Sequence, residues 1–135
     1  MRFMLLQNYG EPESHCVPMT EWSPEEIKAH IDFQHALNTE LLERGELVDA
    51  QGLTGPDQAK FVVAANGAGG APVVTDGPYP ESKELLAGYR LVEVESLERA
   101  IEIAAQASAA PGPNGESIRD RIEVRQVLSA PDPEV

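Results

Sequence analysis

The segment from Trp22 to Gly45 constrains the fold more than any other part of the chain, because both ends of a long helix are written into it. Ser23 is a good N-cap residue, Pro24 fits the first helical position, and Glu26 three residues after the cap completes a capping box. Trp22 and Ile27 stand where a hydrophobic staple forms. The helix is expected to run to about Arg44, with Gly45 as the left-handed residue that stops it. Such a helix must cover an apolar surface. The chain offers strands on both sides of it, at residues 2–9 and 47–51. In the first of these, Phe3 and Leu5 alternate with Met4 and Leu6, so both faces are apolar, as in a central strand.

The rest of the chain continues the alternation. Residues 10–21 and 52–59 read as loop and turn. Phe61–Ala65 and Val73–Thr75 flank a Gly-rich turn, which predicts a β-hairpin. Residues 81–87 are expected to be short helix or irregular, and 89–95 a strand. Ser96 caps a second helix that carries Leu97, Ala100, Ile101 and Ala104 at i, i+3, i+4 and i+7. Residues 108–117 are an Ala-, Pro- and Gly-rich loop, 122–128 a last strand, and 129–135 a frayed tail. With the hairpin set aside, the order is βαββαβ, a ferredoxin-like α+β arrangement over residues 1–128. Its helices cover one sheet face. Because the strands are apolar on both sides, a second copy of the sheet is the simplest cover for the other, and a homodimer is expected.

Charge narrows the function classes. The 135 residues hold 23 acidic and 10 basic side chains, a net charge of -13. That balance disfavours nucleic acid and polybasic membrane contact. No apolar run approaches the length of a spanning helix, and the short apolar N-terminus does not suit a signal peptide. A cytoplasmic protein is expected. The single cysteine, Cys16, gives no internal disulfide framework, and its neighbour His15 supplies neither metal-ligand spacing nor a nucleophilic triad. No phosphate loop, dinucleotide fingerprint or GxSxG is present. No cofactor or metal is implied.

Candidate chemistry concentrates in the first helix and in the turn after residue 75. At about 100° per residue from Ile27, Leu37 falls near 280°, His30 near 300°, Leu41 near 320° and Gln34 near 340°. His30 and Gln34 therefore lie on the sheet-facing stripe, one turn apart, where polar groups need partners or a wet cleft. Two roles fit His30: an acid/base in a ligand cleft, or a hydrogen-bonded structural histidine. His35 falls on the flank, near 80°, and suits a surface position, although a one-residue change of register would exchange the two histidines. Asp76 suits either the orientation of a histidine or the first position of a rigid Asp-Gly-Pro turn. Gly88 before Tyr89 suggests a close backbone approach or a positive φ.

The run Val74-Thr75-Asp76-Gly77-Pro78-Tyr79-Pro80-Glu81-Ser82-Lys83-Glu84-Leu85-Leu86-Ala87-Gly88-Tyr89 closely resembles the signature of the DGPF proteins, within the broader YCII-related family. Tyr79 stands where the name-giving motif has Phe. The resemblance extends over most of residues 1–128 and implies a dimeric α/β barrel of ferredoxin-like subunits with a ligand cleft between sheet and helices. It implies less about activity. The broader family includes small-molecule enzymes with a His–Asp pair, related barrels include lactone isomerases and cofactor-free monooxygenases, and many DGPF members sit beside extracytoplasmic-function sigma factors. The broader family often has a His about three turns before the helix-ending Gly, and Gln34 and His35 straddle that place.

Three functions follow as expectations. One is a cofactor-independent lyase, isomerase or dehydrohalogenase-type enzyme using His30 and Asp76, or alternatively His35. The second is a non-catalytic ligand-binding accessory of a sigma-factor system, and the third a structural dimer. Gln34, Tyr79, Lys83, Glu84 and Tyr89 are the expected ligand-binding residues, and an anchoring charge for a substrate is not apparent.

Overall fold

The computed structural model describes residues 1–9, 19–67, 69–77 and 85–128. Six strands and two long helices follow in the order β1 (Arg2–Tyr9), α1 (Pro24–Glu43), β2 (Leu47–Gly52), β3 (Lys60–Val63), β4 (Val73–Asp76), β5 (Leu85–Glu93), α2 (Leu97–Ser108) and β6 (Ile122–Gln126). The main sheet is antiparallel, in the order β2-β5-β1-β6, and β3 and β4 form a separate two-stranded sheet. This α+β topology, with the hairpin inserted between β2 and β5, is compatible with a ferredoxin-like fold.

Local chemistry sets the helix ends. The Glu26 N–H donates to Ser23 Oγ at 3.1 Å and the Ser23 N–H to Glu26 Oε1 at 2.8 Å, so the capping box is closed in both directions. At the other end Gly45 takes φ +73°, and its N–H and that of Glu46 bond back to Leu42 and Leu41. Ser96 Oγ caps α2 by accepting from the Arg99 N–H.

Register sorts the sheet into two faces. Phe3, Leu5, Val92, Arg90, Ile122 and Val124 share the helix-facing side, paired as Phe3 with Val92, Leu5 with Arg90 and Leu5 with Val124. Phe3, Leu5, Val92 and Val94 join Leu37 and Leu41 of α1 and Ala100, Ile103, Ala104 and Ala107 of α2 in one core. α2 lies against β1 and β6, and α1 against β2 and the turn at Pro113–Gly115. Met4, Leu6, Tyr89 and Leu91 alternate to the opposite face, where they are partly buried.

Two local expectations are corrected. Residues 85–87 are strand rather than helix or irregular chain: Leu86 pairs with Asn8, and the Leu53 N–H donates to Ala87 O at 2.8 Å. Gly88 permits this close pairing, since a Cβ there would meet Gln51 O at 2.8 Å. On α2 the buried stripe is Ala100, Ile103, Ala104 and Ala107, whereas Leu97 and Ile101 are 45% and 52% exposed. The alanines let the helix sit close to the sheet and turn Ile103 inward, which leaves Leu97 and Ile101 on the outer flank. The expected tail, residues 129–135, lies outside the described residues.

Candidate functional site

The layer between α1 and the sheet is polar at its centre. His30 and Gln34 occupy successive turns on the inward side of α1, both partly buried, and Asn38 follows one turn later. Arg90 rises from β5 beneath them and is only 5% exposed. Its Nε donates to Asn38 Oδ1 at 2.7 Å, and its Nη2 donates to Gln34 Oε1 and to the Gln34 carbonyl. Burial lowers the guanidinium's pKa from its ordinary value, although arginine remains a cation in any protein setting.

These contacts fix a direction for the hydrogen bonds above them. A guanidinium only donates, so the Gln34 amide must turn its oxygen to Arg90 and its NH2 group away. That NH2 lies 3.4 Å from His30 Nε2, which must therefore accept. His30 Nδ1 lies 3.1 Å from the carbonyl oxygen of Pro111, which can only accept, so Nδ1 carries the proton. The chain Arg90→Gln34→His30→Pro111 has one consistent assignment: a neutral imidazole with its lone pair on Nε2. It runs from a buried cation to a partly exposed ring. Trp22, itself buried, packs edge-on against that ring, with 5.5 Å between centroids.

The loop from Ala109 to Arg121 closes over this layer and is tied down at several points. The Asn114 N–H donates to Glu26 Oε2 at 2.7 Å, so the capping carboxylate also clamps the loop. Backbone bonds to the Ser23 and Asn114 N–H groups lower the Glu26 pKa. Ser108 Oγ donates to Asp120 O at 2.6 Å, and the Arg119 N–H donates to Ser108 O at 2.9 Å. This brings Asp120 within electrostatic reach of His30. Burial raises the Asp120 pKa, and the positive charge of a protonated His30 opposes that shift.

The expected site residues thus separate. His30 and Gln34 come together as the helix stripe requires, and His35 is exposed on the flank. Asp76 lies at the end of the hairpin, 82% exposed, and accepts a hydrogen bond from Lys60 that lowers its pKa. Among the described hydrogen bonds none joins it to His30. Tyr89 lies on the opposite face of the sheet from Arg90, where its OH donates to Asp49 Oδ2 at 2.8 Å. That bond raises the tyrosine pKa and lowers that of Asp49. Tyr79, Lys83, Glu84, His15 and Cys16 lie outside the described residues.

Sequence reasoning missed Arg90, Asn38, Asp120 and the Pro111 carbonyl. Arg90 carried a signal: it alternates with Gly88, Val92 and Val94 at an inward position of a central strand, where a cation demands explanation. Asp120 and Pro111 carried none, since a loop's path is set by tertiary contacts.

An α+β domain with a histidine held in one tautomer beneath its first helix is the class that fold and site define. A profile of the YCII-related domain matches residues 1–127. The chain belongs to the YCII-related family. Among curated proteins, none matches it. No described helix is long and apolar enough to cross a membrane, and the described residues hold no cluster of three or more metal-ligating side chains.

Proposed function

We propose that the protein is a small-molecule enzyme of the DGPF type, carrying out proton-transfer chemistry with its own side chains in the layer between α1 and the sheet. The observation that carries this reading is the directed hydrogen-bond chain that leaves His30 Nε2 as an acceptor. A neutral imidazole with a fixed tautomer is what a general base requires, and Gln34 can yield its long bond to a substrate proton. Asp120, within electrostatic reach of His30, stabilises the imidazolium that then forms, whereas Asp76 was expected to orient the histidine. The reaction classes are those of a C–H acid: lactone isomerisation, β-elimination or dehydrohalogenation.

The test is deuterium exchange from D2O into a panel of enolisable lactones and hydroxy-aromatic acids, followed by NMR. The wild type should label at least one, and His30→Gln should slow that exchange by about 100-fold or more. Saturable binding without exchange would favour the accessory reading, in which the same site senses a ligand for a sigma-factor system. Equal exchange by both proteins would overturn the role of His30.

The subunit is proposed to work as a homodimer closed through the sheet face that bears Met4, Leu6, Tyr89 and Leu91. Leu91→Arg should then sediment as a monomer where the wild type sediments as a dimer, and unchanged sedimentation would exclude this face.

A further inference from the structure

We propose that Arg90 makes the α1 layer a site for a singly charged organic oxyanion, a carboxylate in the first instance. This rests on the reading of that layer as a ligand site and names what the site takes. The observation is a mismatch between charge supply and charge placement. Acids outnumber bases by 23 to 10 in this chain. Arg2, Lys28, Arg44, Lys60, Arg99 and Arg125 each pair with a carboxylate. Among the described residues Arg90 is the buried cation, and no carboxylate pairs with it. Its acceptors are two side-chain amides and a backbone carbonyl, all neutral.

A buried charge without a counter-ion is costly. An acidic chain with many carboxylates to spare could have paired it through a single substitution at Gln34 or Asn38, to Glu or Asp. The amides instead hold the guanidinium in place and leave its charge uncompensated. They also leave donors: the hydrogen bonds fall on Nε and Nη2, and among the described residues none falls on Nη1. Two N–H groups on a fixed cation are a recognition element for an anionic oxygen.

The charge of the ligand follows from the surroundings. One guanidinium balances one negative charge. Asp120 lies within electrostatic reach of His30, and the protein as a whole is strongly negative, so a dianion such as phosphate meets repulsion that a monoanion meets only in part. The Gln34 amide joins the anion-binding cation to the imidazole. A carboxylate on Nη1 thus holds its organic part beside the group proposed to move the proton.

The probes are benzoate, its neutral isostere benzamide, and inorganic phosphate, titrated into the full chain labelled with 15N at the imidazoles. Benzoate should bind and shift the His30 ring signals, benzamide should bind at least about tenfold more weakly, and phosphate more weakly than benzoate. Arg90→Met should lose about tenfold or more of the benzoate affinity, and Arg90→Lys should recover part of it. If Arg90→Met fails to fold, the benzoate–benzamide contrast in the wild type still decides the matter. Equal binding of the two, tighter phosphate binding, or no benzoate binding overturns the proposal. The same spectra report the imidazole tautomer independently. A proton found on Nε2 would overturn the acid–base reading of His30 alone, and a proton on Nδ1 with no benzoate binding would overturn the anion site alone.

Discussion

The two helices lie on the same face of one sheet and do opposite work. α2, over β1 and β6, turns Ala100, Ile103, Ala104 and Ala107 to the sheet, and its contact is apolar and close. α1 fully buries only Leu37 and Leu41, packs Phe33 partly against the same core, and sets His30, Gln34 and Asn38 above Arg90. The sheet beneath follows suit, with Phe3, Leu5 and Val92 in the apolar part and the guanidinium in the polar one. Thus α2 supplies core, and α1, anchored at its far end by two leucines, is free to carry chemistry. The difference also explains the loop between α2 and β6. A polar layer needs its hydrogen bonds completed and water restricted, and the Pro111 carbonyl and Asp120 approach from that loop.

The sharpest way to break the comparison is to damage the core side. Ile103→Ala removes a side chain that is fully buried and should cost about 2–5 kcal/mol of unfolding free energy in urea titrations. Leu97→Ala, on the exposed flank of the same helix, should stay within about 0.5 kcal/mol. A comparable loss at both positions would show that the outer flank of α2 is covered in solution.

Two carboxylates, one beside each helix, should respond to pH with opposite signs. Glu46 accepts from Arg99 Nε at 2.9 Å and Nη2 at 2.8 Å, fastening α2 to the α1–β2 turn, and this pair holds its pKa below the usual carboxylate range. Its folded pKa is depressed, so its contribution is present above the unfolded value and is lost as pH falls through the folded one. Glu46→Gln should therefore cost about 1–2 kcal/mol near neutrality and approach the wild type in acid. Asp120 runs the other way. Burial lifts its folded pKa above its ordinary value, so the folded state holds its proton more tightly, and stability falls as pH rises through that window. Asp120→Asn should gain on the wild type as pH rises above about 4. Thermal unfolding of both variants across pH 3–7 checks the signs, and parallel profiles would contradict the two environments.

The smallest effect is expected at His35. It is exposed on the flank of α1, and His35→Ala should alter stability by less than about 0.5 kcal/mol and leave benzoate affinity and deuterium exchange unchanged. A large loss of exchange in this variant would exchange the roles of the two histidines.

Much of this contrast was legible in advance, and the illegible parts have physical causes. The inward setting of His30 and Gln34 follows from the helical repeat once Leu37 and Leu41 define the buried stripe, because rotation per residue is a local property of the backbone. The partner of His30 was not legible. Asp76 drew attention through a motif next to it in sequence, but it ends on the hairpin with Lys60, while Asp120 reaches the layer from a loop 90 residues beyond His30. An anchoring charge is not apparent in the sequence, where Arg90 simply follows Tyr89 in a motif-bearing strand. The strand repeat sends the two side chains to opposite faces, tyrosine to the open side and arginine to the helices. The buried stripe of α2 was placed one flank away from where it lies, since Leu97 and Ile101 outweigh alanines in any hydrophobicity pattern, whereas close packing on a sheet favours the alanines.

What the sequence determined by itself was local: the capping box at Ser23 and Glu26, the left-handed stop at Gly45, the alternation of β1, the cap at Ser96 and the order of elements. Each depends on hydrogen bonds and torsions within a few residues. Only the tertiary structure decided which charges and amides meet. Arg90, Gln34, His30 and Pro111 become one directed chain because β5, α1 and the loop after α2 stack on the same sheet face, and the tautomer of His30 is set by a cation 60 residues away in sequence. Local pattern fixes where a side chain points. The identity of what it meets depends on long-range packing, which no window of neighbouring residues contains.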